Sequence, residues 1–227
     1  MNKKLKKNIT QIFYAILAAL VIRSFLFEPF SIPSGSMYPN LKVGDYLFVS
    51  KYSYGFSRHS LPLSLPLIPG RIFYKQPSRG DIVVFKTPED NRTDYIKRLI
   101  GLPGDKISMK SNKIFINGME IKTNFLKNEK YKFLDVKRVE EQLPNNKSYH
   151  IYEFEKTFID MDTNNFSEVE VPDDNYFVVG DNRDNSQDSR YIGFIPKKNL
   201  VGRAEVVFLS FDTNIGSFFK FWTWYPA

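Results

Sequence analysis

A chain of 227 residues, 42% hydrophobic and 25% charged, holds one medium domain with an insertion or two small ones, and has the composition of a folded protein. It has no cysteine, which excludes disulfides, thiolate zinc sites and cysteine nucleophiles, and its only histidines, His59 and His150, stand alone where a zinc site needs about three or four ligands at workable spacing. The net charge of +7 suits anionic lipid or nucleic acid, yet beyond the first residues the basic side chains are scattered and no recognition motif accompanies them, so nucleic acid is not expected as a partner. No metal or cofactor is expected, and both histidines read as surface residues.

The chain opens with Lys3, Lys4, Lys6 and Lys7, then runs apolar from Ile12 to Ile22 with only the Tyr14 hydroxyl to interrupt it. Residues 9–27 are about long enough to cross a bilayer as a helix. Arg23 falls near the far end, where its stem can carry the charge to the interface. A cleaved secretory signal begins in the same way, but no small-x-small site follows the apolar run. A buried globular helix would not be preceded by four lysines. The reading is a retained anchor, residues 9–27, behind a basic segment, residues 1–8. By the positive-inside rule the lysines stay in the cytoplasm and the rest lies across the membrane.

Beyond Pro29 the periodicity becomes that of strands. Tyr46–Val49, Asp81–Phe85, Tyr95–Ile100, Tyr176–Val179 and Val201–Phe211 are short aromatic or β-branched runs bounded by turn residues. Lys113–Ile116, Asn117-Gly118 and Met119–Ile121 spell a hairpin with the favoured Asn-Gly turn. The fold class is mainly β: a transmembrane helix followed by an antiparallel, barrel-like domain (28–105 and 173–227) carrying a β-rich insertion (106–172). Ser57–Gly70, with Pro62, Pro66 and Pro69 among leucines, reads as an apolar extended loop near the membrane or a covered edge. The aromatic C-terminus, Phe218–Tyr225, suits either a membrane interface or the β-core.

Three segments carry chemistry. Ile32-Pro33-Ser34-Gly35-Ser36-Met37-Tyr38-Pro39 combines restricted prolines with a glycine, a turn able to expose a serine hydroxyl and aim backbone N–H groups at one point. A plain linker reads the same. A nucleophilic serine without a usable histidine needs another base, and Lys97 is the natural candidate. Alternation places it with Tyr95 and Leu99 on an apolar face, where burial lowers a lysine pKa. An edge lysine with its head in water is the ordinary alternative. Gly180 to Arg190 lacks the order of a calcium loop; its alternating Asp and Arg residues suit internal ion pairs, and Ser186 is placed to bond a neutral Lys97 amine.

Together these segments, with Arg79-Gly80-Asp81-Ile-Val-Val-Phe85 and the Tyr95–Asp105 stretch, resemble the bacterial type I signal peptidases, in the same chain order. The resemblance implies a membrane-bound serine endopeptidase that removes signal peptides after small residues at −1 and −3. It implies Ser36 as nucleophile and Lys97 as general base, with Ser34 and the Ser36 N–H as oxyanion hole and Ser186 orienting Lys97. Arg98 with Asp181, and Asp188 with Arg190, look like supporting ion pairs. Phe30, Ile32, Pro33, Tyr95 and Ile96 match positions that line the substrate pockets. The implied partners are signal-peptide-bearing precursors and the lipid bilayer of the bacterial inner membrane, with a single span, a cytoplasmic N-terminus and the catalytic domain outside. A self-cleaving repressor with the same dyad gives no reason for an anchor, and a membrane-tethered β-domain that only binds a partner leaves Ser36 and Lys97 without a role.

Overall fold

The computed structural model describes residues 3–155, 165–211 and 220–223. A helix spans Lys3–Phe25, is long and apolar enough to cross a membrane, and is almost wholly exposed. It starts earlier than the apolar run because lysines are good helix formers. It stops before Phe27, where the chain turns extended ahead of Pro29, whose ring disfavours helix in the residue before it.

The body is mostly antiparallel β. One sheet has the order Phe27–Ser31, Asp45–Ser50, Leu200–Ser210, Ile82–Lys86, Asp94–Gly101, Asn175–Val179, Ile195–Pro196, with Lys220–Thr223 beside Leu200–Ser210. The long strand Leu200–Ser210 breaks register with both neighbours, at Ala204/Val206 and Val207/Leu209 on one side and Leu200/Gly202 on the other. Such bulges bend a strand and raise its twist, which curls the sheet. Each of the five strand runs read from the sequence lies in this sheet. The Asn117-Gly118 hairpin is present, with both turn residues at positive φ, as the favoured hairpin turn requires.

Residues 106–154 and 166–170 supply two smaller sheets: Phe166–Glu170, Lys106–Lys110, Lys113–Ile116 and Met119–Glu120 form one, and Lys122–Tyr131, Leu134–Gln142 and Ser148–Phe154 the other. They do not stand apart from the main sheet. Ile100, Phe177 and Val179 share a buried cluster with Ile107, Ile114, Val139 and Ile151. Two further clusters fill the main sheet, one around Met37, Leu47, Val84 and Ile96, the other around Tyr54, Phe85, Leu99 and Leu200.

Ser57–Gly70 is not simply extended. It forms two 3-10 turns, Arg58–Ser60 and Pro62–Ser64, the first capped by the Ser57 hydroxyl, and closes with the strand pair Phe56–Ser57 and Arg71–Ile72. Neither histidine is a free surface residue. His59 is buried within this turn, its ring Nδ1 3.1 Å from Ser64 Oγ. Burial, then Arg58 and other nearby cations, pull its pKa down to about 4. His150 is half-buried in Ser148–Phe154, with Nδ1 2.8 Å from Arg138. Of the C-terminal aromatics, Phe218, Phe219, Trp224 and Tyr225 lie outside the described residues.

Candidate active site

The turn at 34–38 follows Ile32, whose backbone pairs with Asp45 and Gly44, and leads to Leu41, whose N–H donates to Met37 O. Burial of Ile32, Met37 and Leu41 in one cluster pins both ends of the turn to the sheet. Gly35 is required by space: a Cβ there would run into the Tyr131 hydroxyl, and Tyr131 belongs to a strand of the insertion. The rings of Tyr38 and Tyr131 are 4.9 Å apart, so the insertion closes over the turn.

Ser36 and Lys97, distant in sequence, meet. Lys97 Nζ lies 2.9 Å from Ser36 Oγ and 2.9 Å from Ile96 O. Lys97 is 4% exposed and Ser36 6%. Lys97 sits opposite Val83, between Tyr95 and buried Leu99 on its own strand, with Nζ 5.0 Å from the Tyr95 ring centroid. Burial lowers its pKa to about 8, against the opposing pull of the Asp188 and Asp181 carboxylates. A lysine so placed is substantially neutral at mildly alkaline pH and able to accept a proton from the hydroxyl beside it.

Ser34 is exposed, its Oγ 3.4 Å from Ser36 Oγ, longer than a normal hydroxyl hydrogen bond. The Ser36 N–H makes no hydrogen bond among the described residues and is therefore available. The turn is held from the other side by the 180–190 loop: Asn182 N–H donates to Ser36 O at 3.0 Å, and Asn182 Nδ2 to Gly35 O at 3.0 Å. Gly180 packs against Ser36 O and Ser186 so closely that a Cβ has no room.

The ion pairs divide between loop and framework. Arg98 grips Asp181 with two bonds of 2.8 Å and donates to Gly80 O at 2.8 Å, over the face of Tyr149. Arg190 binds Asp188 at 2.8 and 2.9 Å, and Asp188 also accepts the Gly180 N–H at 2.9 Å. Burial acts to raise the Asp188 pKa, but Arg190 and these bonds hold it below the usual carboxylate range. Not all the alternating charges pair within the loop, however. Arg183 reaches out to Glu141 in the insertion, a fully buried two-bond pair. The Tyr152 backbone joins the loop, its N–H donating to Asp181 O at 2.9 Å and its O accepting from Arg183 N–H at 3.0 Å.

Ser186 does not bond Lys97. Its hydroxyl lies against Gly180 and faces the Asp188 carboxylate. Phe30, Ile32 and Ile96 pack in one cluster beside the dyad, Tyr95 packs with the cluster around Phe85 and Leu99, and Pro33 is exposed. A cavity of about 460 Å³ between Asn40, Arg98, Arg138 and Val207 includes neither Ser36 nor Lys97. Sequence reasoning missed Asn182, Asn40 (which donates to Asp181 at 2.6 Å), Glu141 and Tyr131. Glu141 had a signal, since it lies two residues from buried Val139 in a strand and so shares its inward face.

The chain is similar to known proteins over most of its length. The family model described as signal peptidase, peptidase S26, matches residues 5–209. Over 230 residues the chain is 40% identical to signal peptidase I of Rickettsia typhi, covering 95% of this chain and 86% of the relative. It is 40% identical over 230 residues to that of Rickettsia felis, covering 95% and 85%. Among solved structures, a signal peptidase I from Enterococcus faecalis V583 is 27% identical with a TM-score of 0.34, covering 57% of this chain and 97% of that one.

Proposed function

The chain belongs to the signal peptidase family, peptidase S26, and on that footing we propose that it is a membrane-bound serine endopeptidase working through a Ser36–Lys97 dyad. The observation that carries the dyad is the 2.9 Å contact between a buried lysine of pKa about 8 and the Ser36 hydroxyl. Ser36 Oγ attacks the scissile carbonyl while Lys97 takes its proton. The oxyanion falls to the Ser36 N–H, with the Ser34 hydroxyl swinging in as second donor. Lys97 then protonates the departing amine and activates the water that frees the acyl group. Asn182 holds the nucleophile's turn, and the Asp181–Arg98 and Asp188–Arg190 pairs hold Asn182 and Gly180. Ser186, packed against Gly180 in this structure, is assigned the orienting of Lys97 by the family resemblance alone.

The substrate is the end of a signal peptide bound as an added strand. Phe27–Ser31 ends the sheet, and Asp94–Gly101 pairs with Asn175–Val179 only from Arg98 onward. The free edges beside the dyad suit an extended peptide held by main-chain hydrogen bonds, with alternate side chains in pockets. Phe30, Ile32, Pro33, Tyr95 and Ile96 line shallow apolar pockets that accept only small residues at −1 and −3. The Lys3–Phe25 helix anchors the enzyme, with its lysines cytoplasmic and the catalytic sheet beyond the membrane. The test is cleavage of an exported precursor ending in Ala-x-Ala by the solubilised protein. Ser36→Ala and Lys97→Ala are each expected to lose cleavage by 10³-fold or more, on the order of other dyad and triad losses; Lys97→Ala at the wild-type rate refutes the dyad.

A further inference from the structure

Phe27–Ser31 and residues 94–97 both run toward the dyad, so their early residues lie at the far end of the groove between them. At that end Glu28 and Phe30 from one strand and Asp94 from the other line a cavity of about 280 Å³, shared with Arg23 at the end of the N-terminal helix, buried Lys51 and Lys86. Its character is opposite to that of the apolar pockets nearer Ser36. Lys51 Nζ binds Glu28 at 2.8 Å and Ser60 O at 3.0 Å, and Arg23 holds the other Glu28 oxygen through Nε at 3.0 Å and Nη2 at 2.7 Å. Lys86 Nζ binds Asp94 at 2.7 Å and Arg92 O at 2.8 Å. Burial acts to raise the Glu28 pKa, but Lys51 and Arg23 hold it below the usual carboxylate range, whereas burial pushes Asp94 up against the pull of Lys86. His59, also in the wall, is neutral with its pKa near 4. Three cations therefore face two carboxylates. The surplus is one of donors: Arg23 Nη1 has no partner among the described residues, and Lys86 has used two of its three ammonium protons.

Strand alternation decides which substrate position reaches this cavity. Glu28 and Phe30 face inward on Phe27–Ser31, in line with buried Ile32, and Asp94 shares a face with Ile96. Phe30, Ile32, Ile96 and Val201 pack in one cluster, and Val201 also lines the cavity. An extended peptide between the two edges puts its side chains at −1, −3 and −5 on one face and those at −2 and −4 on the other. With −1 against Ile32 and Ile96 and −3 against Phe30, the next inward side chain comes level with Glu28. We propose that this cavity is a subsite for the signal-peptide residue at −5, which selects a side chain that accepts hydrogen bonds, glutamate above all, and rejects lysine and arginine. The inference rests on the proposed groove and dyad. A lysine at −5 meets three cations whose carboxylates are already taken. A carboxylate there finds the Arg23 and Lys86 protons that the protein leaves unused, so attraction and repulsion both sharpen the choice.

The test is cleavage, by the full-length protein in detergent, of precursors whose signal peptides end in Ala-x-Ala and differ only at −5, as Ala, Gln, Glu, Leu or Lys, with the same series placed at −4. The proposal expects kcat/KM for Glu at −5 to exceed that for Lys by about fivefold or more, the scale of one partly screened charge contact, with Gln between them and no more than about twofold variation at −4. Arg23→Gln and Lys86→Gln are each expected to shrink the Glu-to-Lys ratio at −5, and together to abolish it. The wild-type series stands whether or not either variant folds. Equal rates across the −5 series overturn the subsite and leave the dyad in place. The same charge preference at −4 also overturns it, since that marks a general field rather than a site. So does a preference for Leu over Glu at −5, or a ratio unchanged in the folded double variant. If no precursor is cleaved at all, the peptidase reading falls and the subsite falls with it.

Discussion

Replacing Lys97 by methionine, close to it in length but without its charge, is expected to abolish cleavage and yet to stabilise the fold at neutral pH. The folded lysine ionises at about 8 against an ordinary 10.5. At about 1.4 kcal/mol per pKa unit, holding the ammonium in that site costs about 3 kcal/mol below pH 8. Part of the gain is offset, because methionine gives up the bonds to Ser36 Oγ and Ile96 O, each worth about 1 kcal/mol net. A net gain of about 1–2 kcal/mol remains at pH 7, or a rise of roughly 3–6 °C in melting temperature for a chain of this size. The sign of the pH dependence follows from the lowered pKa. Between about 8 and 10.5 the unfolded chain binds more protons than the folded one, so wild-type stability rises with pH through that window and the advantage of Lys97→Met fades. Activity reports the same ionisation: kcat/KM should climb about tenfold from pH 7 to 9, with a midpoint near 8. Thermal unfolding in detergent and precursor cleavage across pH 6–10.5 supply both curves. A Lys97→Met protein less stable than wild type at pH 7, or equally offset at every pH, refutes the burial argument; an activity profile flat through pH 8, with chemistry limiting, refutes Lys97 as base.

Asn182→Ala removes the Nδ2 bond to Gly35 O but keeps the backbone bond to Ser36 O. It is expected to lower kcat by about 10–100-fold through misplacement of the nucleophile, with KM little changed, since misplacement by about 1 Å is worth this much; an unchanged kcat in steady-state assays removes Asn182 from the positioning role. Glu141→Gln breaks a fully buried two-bond pair and leaves the Arg183 charge uncompensated, so denaturant titration should show a loss of about 3–5 kcal/mol, with cleavage falling further than the unfolded fraction explains if the insertion positions the loop.

The elements of the main sheet were legible because each carries its own signal. Asp94–Gly101 and Asn175–Val179 are apolar runs with turn residues at their ends, and burial of such runs is a local property. Their neighbours are a different matter. What carries the Ser36 turn to Lys97 is non-local: the strands that flank the turn, Phe27–Ser31 and Asp45–Ser50, join Ile82–Lys86 and Asp94–Gly101 only through Leu200–Ser210, whose bulges curl the sheet, and a bulge is one residue with no composition of its own. The residues alone offer Ser36 and Lys97 as candidate nucleophile and base, while their contact is set by this long-range pairing. His59 was misread for a related reason: a Pro/Ser-rich stretch has the composition of a surface loop, but Ser57 caps a 3-10 turn that folds the ring inward. Arg183 shows the limit most sharply. Within its own segment it had Asp181, Asp184 and Asp188 as candidate partners, and in the fold it bonds none of them, because the insertion brings Glu141 into a buried position where a carboxylate needs a cation to exist at all. Charge alternation predicts that pairs form; which pairs form is decided by desolvation. The segment that looked like an appendage to the catalytic sheet, residues 106–172, thus supplies the counter-charge, the Tyr131 ceiling over Gly35 and the Tyr152 backbone that together hold the loop on which Ser36 rests.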